Sequence, residues 1–156
     1  MRKLRRRRKP QGYTAENVAR MFGVDYHTFM GWISRKLVRA SVRNAGKQWV
    51  PVIFARDDLL EVLLVFRLRQ VDLGTRLIKK AVGALRKMRE RATGYILISA
   101  EGVRVARLAS TTEQALTIAI NLDKLHAELG KKLGELEAAK EAAVRAEHRH
   151  EHSSIA

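Results

Sequence analysis

The stretch Tyr13–Leu37, YTAENVARMFGVDYHTFMGWISRKL, decides how the rest of the chain is read. Thr14 is a good N-cap ahead of Ala15, Glu16 and Asn17, and Val18, Met21 and Phe22 recur at helical spacing behind it. Gly23 then ends that helix, because a left-handed C-cap costs glycine least. Asp25 caps a second helix, predicted over about Tyr26 to Ser34, whose Phe29, Trp32 and Ile33 form an apolar stripe for the core. Tyr26, His27, Met30 and Arg35 fall on the opposite face. Two short helices joined by a tight turn have a mechanical use: the second can lie in a DNA groove. His27 and Thr28, near its start, stand where base edges come within reach.

After Leu37 the pattern turns to period two, with Val38, Ala40 and Val42 on one side of Arg43-Asn44-Ala45-Gly46-Lys47 and Trp49, Val50, Val52, Ile53 and Phe54 on the other. Asn44 to Gly46 is turn chemistry, so a hairpin is expected with Arg43 and Lys47 near its tip, a wing suited to phosphates. Pro51 cannot donate to a ladder and points to an edge strand or a bulge. Arg56-Asp57-Asp58 caps a third helix, from Leu59 to about Gln70, with Leu59, Val62, Leu63, Phe66 and Leu68 facing inward. Asp72 and Gly74 break it. A fourth helix is expected over about Thr75 to Arg91, with Leu77, Ile78, Ala81, Val82, Leu85 and Met88 on its apolar side and Arg76, Lys79, Lys80, Arg86, Lys87 and Arg89 elsewhere.

Upstream, Arg2 to Lys9 holds seven positive charges interrupted only by Leu4. Such a run repels itself, so residues 1–12 are expected to be a disordered arm in which Arg5, Arg6, Arg7 and Arg8 follow phosphates or enter a minor groove. Charge is unevenly spread along the whole chain. Residues 1–91 carry 23 Lys+Arg against 7 Asp+Glu, a net +16, whereas residues 92–156 carry 8 against 9, a net -1. A half that basic suits a polyanion, since each phosphate neutralised releases condensed counterions.

The order Tyr13-Thr14, Val18-Ala19-Arg20, Gly23-Val24, Thr28-Phe29, Trp32, Leu37-Val38, a Gly-containing wing, Phe54, Asp57-Asp58-Leu59 and Arg67-Leu68-Arg69 resembles the winged head of the mercury-resistance-regulator (MerR) family of bacterial transcription factors. The resemblance covers about Tyr13 to Met88. It implies a dimer that grips an inverted-repeat operator with two heads and distorts the DNA between them, with RNA polymerase as a candidate further partner. Met30 stands where the family has a basic residue in the second helix, and Val52 where it has an Arg before the wing's closing aromatic. Arg35, Lys36, Arg43 and Lys47 are the available substitutes. Tyr13, Thr14, Arg20 and Tyr26 complete the set expected to touch DNA.

Beyond the head, Tyr95-Ile-Leu-Ile-Ser-Ala, Glu101-Gly102 and Val103-Arg-Val-Ala-Arg-Leu108 form a second hairpin, within residues 92–109. An isolated pair of strands is marginal in water, so it should pack on a helix or pair with a second copy. Ser110-Thr111-Thr112-Glu113-Gln114 resembles a capping box for a long helix over residues 110–147. Ala115, Ile118, Leu122, Leu125, Leu129, Lys132, Leu136, Ala139, Ala143 and Ala146 take a and d positions of a heptad there. A coiled coil is therefore expected to pair two chains through Ile118, Leu122, Leu125, Leu129 and Leu136; the alternative is a helix folded back on its own domain. Residues 148–156 are expected to be a flexible tail, in which His148, His150 and His152 read as a solvated end rather than a metal site.

The fold class expected from these pieces is mainly α with small β hairpins: a winged helix-turn-helix head over residues 13–91, a second hairpin and a long C-terminal coiled-coil helix. The chain has no cysteine, which removes disulfides and thiolate metal sites. No Gly-rich phosphate loop and no nucleophile with a base beside it appears in a motif, so no enzyme, catalytic residue or cofactor is expected. No apolar run approaches a membrane span, and the basic start is followed by no signal-like apolar segment. Together with what the resemblance implies, the expectation is a cytoplasmic, nucleoid-associated homodimer that binds double-stranded DNA as a bacterial or phage regulator. A phage or plasmid accessory protein for excision, partition or replication, or a nucleoid-shaping protein, uses the same kind of head.

Overall fold

The computed structural model describes residues 12–42, 51–88, 93–99, 102–107 and 118–153. They form a mainly helical protein with two small antiparallel sheets and a long C-terminal helix. The arm through Arg5, Arg6, Arg7 and Arg8, the wing tip with Arg43 and Lys47, and the capping box at Ser110 to Gln114 lie outside the described residues.

Strand β1 (Tyr13–Thr14) runs directly into helix α1 (Ala15–Phe22), which a turn joins to α2 (Tyr26–Ser34). Local hydrogen bonds explain each boundary. The Thr14 hydroxyl accepts from the Asn17 N–H at 3.3 Å and caps α1, and the Asp25 carboxylate accepts from the Thr28 N–H at 3.0 Å and caps α2. Gly23, at φ 64° and ψ 29°, closes α1 in a Schellman motif: its N–H donates to the Arg20 carbonyl and the Val24 N–H to the Ala19 carbonyl.

Helix α2 ends by the same device, with the Lys36 N–H on the Ile33 carbonyl and the Leu37 N–H on the Trp32 carbonyl, both 2.9 Å. Here the left-handed position holds Lys36 at φ 58°. A left-handed backbone is unfavourable for a residue with a Cβ, so Lys36→Gly should stabilise the fold by about 0.5–1 kcal/mol after glycine's own entropy cost. A rise of about 1–4 °C in melting temperature is expected. A fall would mean that the lysine stem's packing outweighs the strain.

Strand β2 (Ile53–Phe54) pairs antiparallel with β1, Tyr13 opposite Phe54 and Thr14 opposite Ile53. Gly12 is required beside this pair because a Cβ there would stand 2.5 Å from Ile53 Cγ2 and 2.7 Å from the Phe54 carbonyl oxygen. Helix α3 (Asp58–Gln70) follows. The expected cap at Asp57 makes no side-chain hydrogen bond. Asp58, the first residue of the helix, reaches outward instead of capping it, one oxygen accepting from the Ala55 N–H at 2.7 Å and from both the N–H and hydroxyl of Ser41 at 2.8 Å. That carboxylate ties together the two ends of chain flanking the expected wing.

Helix α3 is the centre of the molecule. Its Leu59, Leu60, Val62, Leu63, Leu64, Val65 and Leu68 are all at most 7% exposed, on every side rather than on the single face expected. The reason is tertiary: α1, α4 (Thr75–Met88) and α5 (Leu122–Ser153) surround it. Two ion pairs brace the arrangement. Arg86 of α4 makes a two-pronged bond to Glu61 at 2.8 and 2.7 Å, which raises the Arg86 pKa, and Arg67 reaches Glu128 of α5 at 2.7 Å.

The second sheet differs from the expected hairpin by one strand. β3 (Tyr95–Ser99) lies between β4 (Gly102–Ala106) and β5 (Ile118–Asn121), antiparallel to both, and α4 covers the sheet. Ile118 is therefore a strand residue opposite Ile98, not the first turn of a helix reaching back to residue 110. Its spacing to Leu122 satisfies a helical repeat by coincidence, while alternation of Ile118 and Ile120 satisfies the strand. The true N-cap of α5 is Asn121, whose side-chain oxygen accepts from the Lys124 N–H at 3.0 Å.

Three of the leucines read as a seam between chains, Leu122, Leu125 and Leu129, are packed inside one chain, together with Leu133, which the heptad did not include. Leu122, Leu125, Leu129 and Leu133 are at most 6% exposed, in the same core as α3. Leu136 is half-buried, and residues 137–146 are exposed throughout. Lys132, unwelcome in a coiled-coil seam, has its ammonium 5.7 Å from the centre of the Phe22 ring. The folded-back helix is thus what the proximal part of α5 adopts.

Candidate nucleic-acid interface

Helix α2 is held by its apolar stripe. Phe29 is fully buried and lies 5.5 Å, ring centre to ring centre, from Phe54 and 5.9 Å from Trp32. Met30 and Ile33 are half-buried at the margin of the same core. Burial of one side leaves Tyr26, His27, Thr28, Arg35 and Lys36 exposed. Tyr26, a large aromatic 46% exposed, forms a T-shaped ring pair with His27 at 6.1 Å between centres. A platform of that kind, on a short rigid helix, offers stacking and hydrogen-bonding groups together.

Electrostatics divide the helix into two ends. The Thr28 N–H is the largest influence holding the Asp25 carboxyl below its ordinary pKa, with His27 and the Thr28 hydroxyl adding to it. An ionised carboxylate therefore fills the place at the helix N-terminus that would otherwise attract a phosphate. The cations Arg35 and Lys36 stand exposed at the other end. Thr28 has part of its hydrogen-bonding capacity engaged with Asp25, which leaves Tyr26 and His27 as the freer groups on the outer face.

The remaining expected contacts are distributed unequally. Arg20 is exposed and pairs with Glu16 at 3.1 Å, a surface pair easily exchanged for another anion. Thr14 is occupied as a cap. Tyr13 is half-buried with the Lys140 ammonium 5.3 Å from its ring centre, so the C-terminal helix reaches the root of the basic arm. Arg39 and Arg56, both exposed and on either side of the expected wing in the sequence, were not singled out as candidate contacts, and neither was the charged side of α4. The signal for the latter was present: 75–88 contains no acidic residue.

An open cleft of about 490 Å³ lies between the end of α3, β5 and the start of α5, lined among others by Arg67, Val71, Tyr95, Ile120, Asn121 and Leu125. Nothing in the sequence announced it. Most of its polar side chains bond to one another, Arg67 to Glu128 and Gln70, and Asn121 to Tyr95, with the Asn121 oxygen also capping α5. Among the described residues no helix is long and apolar enough to cross a membrane, and no three His, Asp or Glu gather as metal ligands. No family model matches this chain, and no curated protein matches it.

Proposed function

We propose that the chain binds double-stranded DNA in a sequence-specific manner, as a MerR-like winged helix-turn-helix regulator of transcription. The observation that carries the reading is α2: a helix pinned by Phe29 and Trp32, with Tyr26 and His27 turned outward and Arg35 and Lys36 at its end, in a half of the chain whose net charge is +16. The outer face reads bases. The cations at its end, the arm and the wing tip hold flanking phosphates. In this reading two chains pair to span an inverted repeat. Their contact falls to α5 past Leu136, where Ala139, Ala143 and Ala146 continue the heptad and are exposed.

Selection from random duplexes, followed by affinity measurement over a salt series, tests the proposal. A recovered inverted repeat should bind on the order of a thousandfold or more tighter than unselected DNA. His27→Ala should cost about 1–3 kcal/mol on the preferred site and relax its sequence preference, while Arg35→Ala should weaken all duplexes evenly. Equal behaviour of the two variants would refute the assignment of base-reading and phosphate-holding ends. Absence of any preferred sequence would refute specificity itself.

A further inference from the structure

Helix α4 carries a second cationic surface that the base-reading helix does not include. At 100° per residue, Arg76, Lys80, Gly83 and Lys87 fall within a narrow stripe, with Lys79 beside it, directly opposite the buried Ile78, Ala81, Val82 and Leu85. Arg76, Lys79, Lys80 and Lys87 are exposed. None of the four forms an ion pair with a described residue, whereas the neighbouring Arg86 is neutralised by Glu61. The helix itself supplies no carboxylate.

Four like charges at i, i+3, i+4 and i+11 repel one another and weaken an isolated helix. Gly83 weakens it further, since glycine in mid-helix is disfavoured against alanine. Neither cost is returned by packing: a Cβ at Gly83 would meet nothing within 4 Å. Positions that lose stability without a packing reason suit a ligand, and a glycine at the middle of the stripe lets a broad backbone approach the helix closely. The stripe is about 16 Å long, the axial reach of about five base pairs. A membrane surface does not fit, because the apolar side of α4 is inside the protein.

From this we infer that α4 is a phosphate-binding face for duplex DNA, supplying a sequence-independent share of the affinity. The inference rests on the DNA-binding reading above and adds a surface to it. The test uses the full chain with Arg76→Gln, Lys79→Gln, Lys80→Gln and Lys87→Gln combined, against a control with Arg104→Gln, Arg107→Gln, Lys124→Gln and Lys131→Gln. Both quadruple variants lose the same net charge at exposed sites. Binding to a duplex of unselected sequence is followed by fluorescence anisotropy from about 50 to about 200 mM salt, with folding checked by thermal melting.

The α4 variant should bind on the order of ten- to a hundredfold more weakly and lower the salt slope by up to about 3.6, with the control close to the unaltered chain. Equal losses in both variants would reduce the effect to net charge and overturn the inference. Unaltered affinity and slope in a folded α4 variant would overturn it while leaving the DNA-binding reading intact. If the unaltered chain bound no duplex, both would fall together.

Discussion

Phe29→Ala should destabilise the protein by about 3–5 kcal/mol, the usual range for removing a buried ring without collapse of the space it leaves. Phe29 has no exposed surface, and its ring is flanked by Phe54 at 5.5 Å and Trp32 at 5.9 Å. Those two neighbours belong to β2 and α2, so the cavity opens where the sheet, the turn and the outer helix meet. The surrounding backbone is clamped by the Asp25 and Lys36 caps, which limits relaxation into the void. Domains of ordinary size are stable by only about 5–15 kcal/mol, so this one side chain is a large fraction of the total. A melting temperature lower by on the order of 10 °C is expected. Phe29→Leu, which keeps most of the volume, should cost markedly less. Urea unfolding with an unchanged slope would confirm a stability effect; a variant within about 1 kcal/mol of the parent would show that α2 is not anchored through this ring.

Leu125→Ala should cost about 2–5 kcal/mol, and Leu125→Asp should cost more because a carboxylate would be buried without a partner. The expectation follows from where α5 lies. Leu122, Leu125, Leu129 and Leu133 close the side of α3 that α1 and α4 leave open, and Arg67–Glu128 fastens the same contact from its edge. If these leucines only joined two chains, substitution would lower the mass in solution and leave each chain's stability largely intact. The folded-back arrangement predicts the reverse. Melting should fall at every protein concentration, and the shift should persist at dilutions where any dimer has dissociated. Sedimentation alongside thermal melting separates the outcomes, and a change in mass with an unaltered melting curve would place the seam between chains after all.

Both predictions bear on how the candidate site depends on parts of the chain far from it. Helix α2 presents Tyr26 and His27 at a defined angle because α1 and β2 hold it from behind. Those elements lean on α3, and α3 is complete only when α5 covers it. Lys132 beside Phe22 and Lys140 beside Tyr13 extend the same support along the head to the root of the arm. Under the proposed DNA-binding reading, loss of the C-terminal helix should therefore weaken binding through the head's stability before any effect of pairing is reached.

The helical pair at Tyr13–Leu37 was legible from residues alone because each of its boundaries is a local event. Thr14 and Asp25 accept from backbone three residues ahead, and Gly23 takes a conformation that its missing side chain permits. No distant partner is consulted. The ends near Ser34 and at Asp72 were also expected, but the hydrogen bonds that close them, on left-handed Lys36 and Asp72 at φ 58° and 53°, have no glycine to announce them and show only in the folded backbone. The outward positions of Tyr26, His27 and Arg35 followed from the stripe behind them, whereas Met30, expected beside them, is half-buried against the core.

What covers an apolar face is a different kind of question. Periodicity determined that α3 and α5 each have something to bury, and that the region from Tyr95 to Leu108 would form paired strands. It did not determine that α3 is enclosed on all sides, that Ile118 to Asn121 is a third strand, or that the leucines of α5 turn toward their own chain. A heptad facing α3 and a heptad facing a second copy bury similar groups at similar spacing, and four residues of strand satisfy a helical repeat by chance. Hydrogen bonds between near neighbours are written into the sequence; the choice among equally apolar partners is made by tertiary packing, where α3 offered a complete surface that was already covalently attached.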